Sequence, residues 1–381
     1  MPKDDASIRE IAPDIPDGLQ YGLRNYWYPV LQSEDVSRDK PHGFPLLGEA
    51  LVCFRDGAGR PQVLTDRCPH RGARLSAGRM LDGQLQCIFH GLRFGAEGRC
   101  TLIPWEPETS PLLREINVPA YPTEELGGYI WAYIGDAAKF PPPPLREEVP
   151  EELSRPDEFI WFRLKTEVWN ANWLLTVDGG DAYHAVTLHA ETQAVADKTW
   201  RGGRAEAAGA TLAERRVKIV ETSGHGLRGV ATDRSGKPIH HGHFTAEVKG
   251  DRFVLPCITT NPITPAPGAA PYAARLWQIP IDDKRTLIQR FLSWPARTPE
   301  ERARAERIFT DVALLRLSSI SREDAMIAEA QGDLVAARSK EFLLSPDRDL
   351  VRLRGQLKQA FLAQTEGRRE PVRPGAMAHP V

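Results

Sequence analysis

Residues 68–90 read CPHRGARLSAGRMLDGQLQCIFH, and this stretch places four metal-binding side chains on two short arms. The first arm carries Cys68 and His70, and the second carries Cys87 and His90. Each arm therefore offers one thiolate and one imidazole. Cysteine and histidine are the common soft and borderline ligands of transition metals in proteins. The stretch predicts a metal centre around which the N-terminal part of the chain is organised.

A [2Fe–2S] cluster of the Rieske kind requires this set of donors, because two cysteines bind one of its irons and two histidines bind the other. Pro69 and Gly72 in the first arm, and Gly91 just after the second, mark tight turns that can direct backbone N–H groups at cluster sulfurs. The alternative is a structural zinc site, which uses the same four donors. Zinc fingers usually pair Cys with Cys and His with His on one arm, so the mixed arms favour the cluster.

Composition places few constraints on the partners. The chain has 381 residues, a formal net charge of −2 and no apolar run long enough to cross a bilayer, so nothing favours nucleic acid or a membrane. Residues 1–18 are polar and acidic, without the apolar core of a signal peptide, which predicts a cytoplasmic protein. The cysteines outside the two arms, Cys53, Cys100 and Cys257, lack the spacing of a disulfide framework, which agrees with that location.

The order of apolar patterns predicts an α+β chain with two domains. Short alternating runs, two of them joined by a turn at 56–59, predict an all-β N-terminal domain. Four successive prolines at 141–144 predict a linker, and the later runs predict an antiparallel sheet flanked by helices. One of these helices begins after Thr298, an N-cap residue followed by Pro299. The predicted parts are an N-terminal arm at 1–20, a cluster domain at 21–140, a Pro-rich linker at 141–150, a catalytic domain at 151–364 and a disordered tail at 365–381.

A second candidate site is the string Asp181-x-x-His184-x-x-x-x-His189. On a regular helix Asp181 and His184 lie about 60° apart, whereas His184 and His189 lie roughly 140° apart. Two ligands of one metal therefore require a break between the histidines, and Gly179 and Gly180 loosen the chain just before the motif. Two histidines and a carboxylate from elsewhere in the chain form the facial triad of non-heme Fe(II) oxygenases, which leaves positions open for dioxygen.

The sequence CPHRGA followed by CIFHG resembles the Rieske domain of the Rieske non-heme iron oxygenases, with Leu92 where many members carry tryptophan. The second motif is similar to that of their terminal oxygenase components, of the carbazole dioxygenase and dicamba O-demethylase type. This resemblance implies a helix-grip, START-like catalytic domain and identifies His184 and His189 as ligands of a mononuclear iron. It also implies that Asp181 bridges His184 and a cluster histidine of a neighbouring subunit, as the path for electrons.

The same family places its third iron ligand, an acidic residue, near the start of a helix far downstream. In this chain the matching string is SREDAMIAEAQ, and Asp324 is the predicted ligand, with Glu323 as the fallback. A structural alternative exists for Asp324, because Ser321-x-x-Asp324 resembles a capping box at a helix N-terminus.

The two metal motifs together predict an enzyme that activates O2 at Fe(II) and adds one or both oxygen atoms to an aromatic or other apolar small molecule. The sequence lacks a dinucleotide-binding G-x-G-x-x-G, so a separate ferredoxin or reductase must supply electrons, and NAD(P)H acts only through that partner. The resemblance implies a homotrimer. Two alternatives stay open: oxidative O- or N-demethylation at the same metals, and a Rieske electron carrier without oxygenase activity.

Overall fold

The computed structural model describes residues 15–179, 184, 188–189, 216–223, 226–232, 238–246, 253–263, 272–339, 341–344 and 347–372, and for the strands between 216 and 246 it describes the backbone alone. Within these residues the chain is α+β, with an all-β N-terminal part and an antiparallel sheet with helices after it. This is the predicted fold class.

The N-terminal part contains eleven antiparallel strands in three small sheets. The strands are β1 (Tyr26–Gln32), β2 (His42–Leu46), β3 (Glu49–Arg55), β4 (Pro61–Thr65), β5 (Arg79–Leu81), β6 (Gln84–Gln86), β7 (Arg93–Phe94), β8 (Cys100–Leu102), β9 (Ala120–Tyr121), β10 (Thr123–Leu126) and β11 (Tyr129–Ile134). The sheets have the orders β1-β11-β10, β2-β3-β4-β9 and β5-β6-β7-β8. The two cluster arms flank the third sheet: the first arm precedes β5, and the second lies between β6 and β7.

The turn predicted at 56–59 joins β3 to β4 and is organised by one side chain. The carboxylate of Asp56 accepts hydrogen bonds from the backbone N–H groups of Ala58 and Arg60, at 3.0 and 2.9 Å. It also accepts from the side chains of Arg60 and Gln62. Gly59 has a φ of 84°, a left-handed conformation that glycine adopts without strain.

The C-terminal part is built on one large antiparallel sheet of order β12-β20-β19-β18-β17, with β13 also paired to β20. A separate sheet has the order β14-β15-β16. The strands are β12 (Phe159–Arg163), β13 (Glu167–Trp169), β14 (Arg216–Ser223), β15 (Gly226–Thr232), β16 (Pro238–Ala246), β17 (Phe253–Val254), β18 (Ile258–Ile263), β19 (Tyr272–Pro280) and β20 (Thr286–Pro295).

Seven α-helices are present in the described part of the chain. They are α1 (Leu112–Glu115), α2 (Leu145–Glu148), α3 (Trp173–Asp178), α4 (Pro299–Ile308), α5 (Leu314–Ala330), α6 (Leu334–Ser339) and α7 (Arg348–Thr365). Short 3-10 turns lie at Leu19–Tyr21, Ser33–Asp35, Leu75–Ala77, Ala96–Gly98 and Glu151–Leu153. The described helices include none that is long and apolar enough to cross a membrane.

The helix predicted after Thr298 is confirmed, and helical structure continues beyond the end of α4. Thr298 and Glu301 form a capping box, with Pro299 in the first turn. A π-helical turn at Phe309–Ala313 then joins α4 directly to α5. The helical path therefore runs without a break from Pro299 to Ala330, and this continuity decides the role of the acidic residues in α5.

The largest hydrophobic core contains residues from both sides of the proline stretch. Trp131 of β11 packs against Trp277 of β19 with ring centroids 5.7 Å apart, and Tyr129 packs against the same ring at 5.5 Å. Just after the prolines, Glu152 and Arg275 form an ion pair with no solvent exposure. The N-terminal sheets are thereby held against the large sheet, and the predicted domain boundary at 141–150 stays a prediction.

Both ends of the described chain lie against this core. Leu19, within the predicted N-terminal arm, is buried. In the first part of the predicted tail, Val372 is buried and the guanidinium of Arg369 donates to the carbonyl of Asn25 at 2.7 Å. Residues 1–14 and 373–381 lie outside the described residues.

Candidate metal centres

The two cluster arms form matching turns. In each arm the cysteine N–H donates to the carbonyl five residues later, and the glycine N–H four residues later donates to the cysteine carbonyl. These bonds are Cys68 to Ala73 at 2.8 Å, Gly72 to Cys68 at 2.8 Å, Cys87 to Leu92 at 2.8 Å and Gly91 to Cys87 at 3.1 Å. Gly72 and Gly91 have φ values of 75° and 78°, where a side chain would be strained. The local sequence thus presents both cysteines in the same way.

The structure sorts the four donors by chemical type. The Cys68 and Cys87 side chains contact each other and are each 2% exposed. The His70 and His90 rings lie 4.5 Å apart between centroids, on the outer side. Each pair takes one member from each arm, so the mixed arms of the sequence become a thiol pair and an imidazole pair. A Rieske cluster requires this sorting, because each of its irons binds one pair.

Two donors of the cluster site, Cys68 and His90, have shifted pKa values. Burial raises the pKa of the Cys68 thiol to about 11, and the neighbouring Cys87 side chain adds to this effect. Desolvation and the adjacent His70 ring lower the pKa of His90, so that its imidazole is neutral at pH 7. Cluster assembly must therefore deprotonate the thiols but needs no proton from His90.

Leu92, the position where the sequence departs from the family, packs inside the cluster-binding sheet. It is 2% exposed and belongs to the same core as Cys68 and Cys87. A nearby tryptophan, Trp105, is 77% exposed, and its indole N–H donates to the carbonyl of His90 at 3.2 Å. Leu92 therefore places a buried apolar side chain in the core that contains the two thiols.

The second candidate centre brings His184, His189 and Asp324 together, with one ligand atom from each lying within 4.8 Å of the others. The Nε2 atoms of His184 and His189 are 3.1 Å apart. The Oδ1 atom of Asp324 lies 3.0 Å from Nε2 of His189 and 3.6 Å from Nε2 of His184. The three side chains thus direct their ligand atoms at one point.

The size of this triangle fits a metal ion. With metal–ligand bonds of about 2.1 Å, atoms at neighbouring corners of an octahedron lie about 3.0 Å apart, and those of a tetrahedron about 3.4 Å. Two of the observed separations, 3.0 and 3.1 Å, match the octahedral distance, and the third, 3.6 Å, lies slightly above the tetrahedral one. Three protein ligands on one face leave the opposite positions open, which is the arrangement of the 2-His-1-carboxylate triad.

Glu323 and Asp324 take different roles around His189. Oε2 of Glu323 lies 2.6 Å from Nδ1 of His189, on the side of the ring away from Asp324. A carboxylate at this nitrogen fixes the tautomer and orientation of a metal-binding imidazole. Burial raises the pKa of Asp324, but the hydrogen bonds from His184 and His189 outweigh it and lower the pKa overall. Asp324 is therefore a carboxylate at neutral pH.

The capping alternative for Asp324 is wrong, because Ser321 and Asp324 both lie inside α5 rather than at a helix start. The Ser321 hydroxyl instead donates to Glu167 of β13 and accepts from Arg290 of β20. At the end of α5, Glu329 accepts from the backbone and side chain of Asn170 at 2.8 and 3.2 Å. These two attachments hold α5 on either side of Asp324.

A cavity of about 460 Å³ adjoins the three converging side chains. Its described walls include apolar side chains of Leu188, Leu276, Ile320, Ile327 and Ala328, together with the amide of Asn261. An ion-pair group closes another wall, where Arg354 of α7 binds Asp178 and Glu341. Sequence reasoning missed these polar residues, because Asn261, Asp178 and Arg354 are far apart in the chain and match no motif.

Asp181, the predicted bridge between the two centres, lies outside the described residues. In the described part of its motif the Leu188 N–H donates to the carbonyl of His184 at 2.8 Å, as in one turn of a helix. This turn carries both histidines toward Asp324. The predicted break between the two histidines stays a prediction, because residues 185–187 lie outside the described residues.

Comparisons with known proteins agree with the two centres. Residues 26–122 match the Rieske [2Fe–2S] domain, and residues 133–359 match the family described as homotrimeric ring hydroxylase. The phthalate 4,5-dioxygenase oxygenase subunit of Pseudomonas putida is 31% identical over 312 residues, which cover 78% of this chain and 66% of that protein.

Two further similarities extend this comparison. The oxygenase component of chloroacetanilide N-alkylformylase from Rhizorhabdus wittichii is 39% identical over 116 residues, covering 30% of this chain and 32% of that protein. The chain thus spans two thirds or less of these relatives. A solved complex between the oxygenase and ferredoxin of carbazole 1,9a-dioxygenase has the same fold, with a TM-score of 0.67 at 23% identity, over 97% of this chain and 100% of that one.

The Rieske match favours the cluster over the zinc alternative, and the second match covers more than half of the chain. Together the two matches imply a [2Fe–2S] cluster and a non-heme iron as cofactors. The chain therefore belongs to the homotrimeric ring hydroxylase family, with a Rieske [2Fe–2S] domain in its N-terminal part.

Proposed function

We propose that this chain is the terminal oxygenase component of a Rieske oxygenase system, acting on an aromatic or other apolar small molecule. The observation that carries the proposal is the convergence of His184, His189 and Asp324 beside a cavity large enough for such a molecule. When bound, the cluster supplies single electrons and the mononuclear Fe(II) supplies dioxygen activation. Ring hydroxylation, by addition of one or both oxygen atoms, is the reaction that this combination supports best.

In this proposal each group of residues has a separate role. Cys68, Cys87, His70 and His90 hold the cluster, and His184, His189 and Asp324 hold the iron. Glu323 keeps Nε2 of His189 directed at the iron position by accepting from Nδ1. The apolar walls keep water away from the open side of the triad.

The resemblance to the family supports the proposed electron path and partners. In a homotrimer Asp181 would bridge His184 and a cluster histidine of a neighbouring subunit. A ferredoxin or a reductase supplies these electrons, and the solved complex of a structurally similar oxygenase with ferredoxin supports this assignment. NAD(P)H acts only through that partner.

Oxidative dealkylation is a second candidate, favoured by the similarity to the N-alkylformylase oxygenase component. The same two centres serve both reactions, so the products decide between them. Release of an aldehyde from an N- or O-alkyl substrate indicates dealkylation, whereas a ring diol or phenol indicates hydroxylation. The match at 133–359 and the triad argue against a Rieske electron carrier without oxygenase activity.

The proposal is tested by metal analysis followed by oxygen uptake. We expect about three irons and about two sulfides per chain in the wild type, and loss of one iron with the cluster retained in Asp324→Ala. With a ferredoxin and reductase, O2 consumption should match product formation in the wild type and cease in the variant. Wild-type protein with full cluster and iron but no coupled O2 uptake on any member of a panel of aromatic substrates would refute the proposal.

A further inference from the structure

We propose that the cavity takes an uncharged aromatic substrate with one hydrogen-bonding group, received by Asn261, and rejects aromatic carboxylates. The inference rests on the proposed function, since it concerns the substrate of the same site. It separates this chain from its relative named for phthalate, a dicarboxylate. Three features of the described cavity lining carry it: its charge, the ion pairs that occupy its guanidinium and a half-buried amide without a partner.

The guanidinium in the described cavity wall is already occupied. Arg354 is 6% exposed and donates to Asp178 from Nε at 3.2 Å and from Nη2 at 2.7 Å. It also donates to both carboxylate oxygens of Glu341, at 2.6 and 2.7 Å. Arg338 behind the wall donates to Asp178 at 2.6 Å. A substrate carboxylate would have to displace Asp178 or Glu341 from Arg354 and would then lie beside the carboxylate that it displaced.

The other charged groups in the described wall are acidic. Asp324 and Asp347 line the cavity in addition to Asp178 and Glu341, so four carboxylates stand against the single Arg354. Arg338 pairs with Asp178 from outside the lining, and the two charges of the Fe(II) that Asp324 would bind are matched by Asp324 and by Glu323 at His189. No charge is left over for an anionic ligand within the described residues, and a carboxylate would enter among like charges.

Asn261 is a half-buried amide that can bind a polar group of the substrate, whereas Gln331, the other amide in the described lining without a partner, is exposed. Asn261 lies on the face of the large sheet that carries Thr259, Leu276 and Gln278, because Thr259 pairs with Leu276 and Asn261 pairs with Ala274 across β18 and β19. Thr259 donates to Gln278 at 2.8 Å, and Gln278 donates to the Thr176 carbonyl at 2.7 Å, so both are committed. Among the described residues the side-chain amide of Asn261 has no hydrogen-bond partner, although it lines the cavity.

An amide between apolar walls selects a particular kind of ligand. It donates to a carbonyl and accepts from an N–H or O–H group, and neither contact requires a charge. Leu276 and Ile327, with the other apolar side chains of the lining, offer packing surface for the ring of the substrate. An aromatic amide or ketone therefore satisfies the site, while a hydrocarbon leaves Asn261 unpaired and a carboxylate lacks a counter-charge.

The test is anaerobic titration calorimetry of the enzyme loaded with cluster and iron. The probes are two matched pairs, benzamide against benzoate and 3-phenoxybenzamide against 3-phenoxybenzoate, which differ in charge but hardly in shape. We expect each amide to bind at least about tenfold more tightly than its carboxylate. Equal affinities, tighter binding of a carboxylate, or no binding of either amide would overturn the proposal.

The role of Asn261 is tested with Asn261→Leu, and with Asn117→Leu as a matched substitution in the cluster domain. The affinity for 3-phenoxybenzamide should fall about tenfold in the first variant, while that for 3-phenoxytoluene, which has the same ether but a methyl group in place of the carboxamide, stays level or rises. Asn117→Leu should change neither affinity. If Asn261→Leu weakens both ligands equally, or neither, the residue does not read the substrate.

Turnover separates a failure of this inference from a failure of the proposed function. With ferredoxin and reductase present, amide binding without O2 uptake or product would count against the oxygenase assignment but not against the charge preference of the cavity. Coupled turnover of the carboxylates in preference to the amides would support the oxygenase assignment and overturn the inference.

Discussion

His189 is held at both ring nitrogens by adjacent residues of one helix. Asp324 lies 3.0 Å from Nε2, on the iron side, and Glu323 lies 2.6 Å from Nδ1. Neighbouring residues on a helix point about 100° apart, and an imidazole with two separated nitrogens spans that angle. The pair of acidic residues in SREDAMIAEAQ therefore serves one histidine in two ways, as ligand and as support.

We predict that the Glu323→Gln variant still binds the mononuclear iron, with an affinity about 10–100-fold lower than that of the wild type. The amide still occupies the space beside Nδ1, yet it no longer supplies the charge that makes His189 a stronger ligand. Iron affinity is measured by competition with a chelator, with acid-labile sulfide as the check that the cluster is intact. Complete iron loss, as expected for Asp324→Ala, would show instead that Glu323 is itself a ligand.

At the scale of elements, the attachment of α5 decides the geometry of the iron site. The string Ser321-x-x-Asp324 has the pattern of a capping box, but the π-helical turn at Phe309–Ala313 continues the preceding helix through it. Helix interiors leave no free backbone N–H for a cap, so Ser321 bonds to β13 and β20 instead. Asp324 therefore lies in the middle of a continuous helix, which holds its carboxylate in a fixed position.

The hairpin between β3 and β4 offers a second prediction at this scale. Asp56→Ala should lower the free energy of unfolding by about 1–2 kcal/mol, because the N–H groups of Ala58 and Arg60 lose their acceptor. Urea unfolding at neutral pH measures this loss. Asp35→Ala, which removes an exposed carboxylate from a nearby turn, serves as the control and should have little effect.

The pH dependence of that difference follows from the pKa of Asp56. Burial would raise this pKa, but the hydrogen bonds from Arg60 and Ala58 outweigh it and the pKa is lowered below its ordinary value of 3.8. A lowered carboxyl pKa contributes stability that is complete above the unfolded value and is lost as the pH falls through the folded value. The difference between wild type and Asp56→Ala should therefore be constant from about pH 5 to about pH 8. A decline within that window would contradict the lowered pKa.

On the scale of the whole molecule, the two halves share one core, and a buried ion pair fixes the start of the second half to the large sheet. Glu152 follows the proline stretch and accepts from Arg275 on β19 at 2.7 Å and from Ser293 on β20 at 3.0 Å. Arg275 also donates to Thr260 on β18 at 2.7 Å. The chain leaving the cluster domain is therefore anchored to three strands of the catalytic sheet.

We predict that Glu152→Ala destabilises the protein by about 3–5 kcal/mol, because it leaves Arg275 charged and without its buried partner. Glu151→Ala is the matched control: its ion pair with Arg155 is partly exposed, so the effect should be close to zero. Urea unfolding is followed by tryptophan fluorescence and by the absorbance of the cluster. If Glu152→Ala shifts neither signal more than Glu151→Ala does, the pair does not anchor the start of the catalytic part to its sheet.

The features that the sequence determined are those set by neighbouring residues. The two cluster arms, with Gly72 and Gly91 at left-handed positions, and the capping box at Thr298 depend on contacts within a few residues. The order of strands and helices also follows from local patterns, so the α+β class could be predicted. The predicted break between His184 and His189 lies at residues 185–187, outside the described residues, and stays a prediction.

Only the tertiary structure decided which side chains meet. The pairing of Cys with Cys and His with His, the separate positions of Glu323 and Asp324 around His189, and the free amide of Asn261 each depend on segments far apart in the chain. The ion pairs that occupy Arg354 join α3 to α7 in the same way. Local sequence patterns do not predict such contacts, because packing of the whole core sets the position and direction of each side chain.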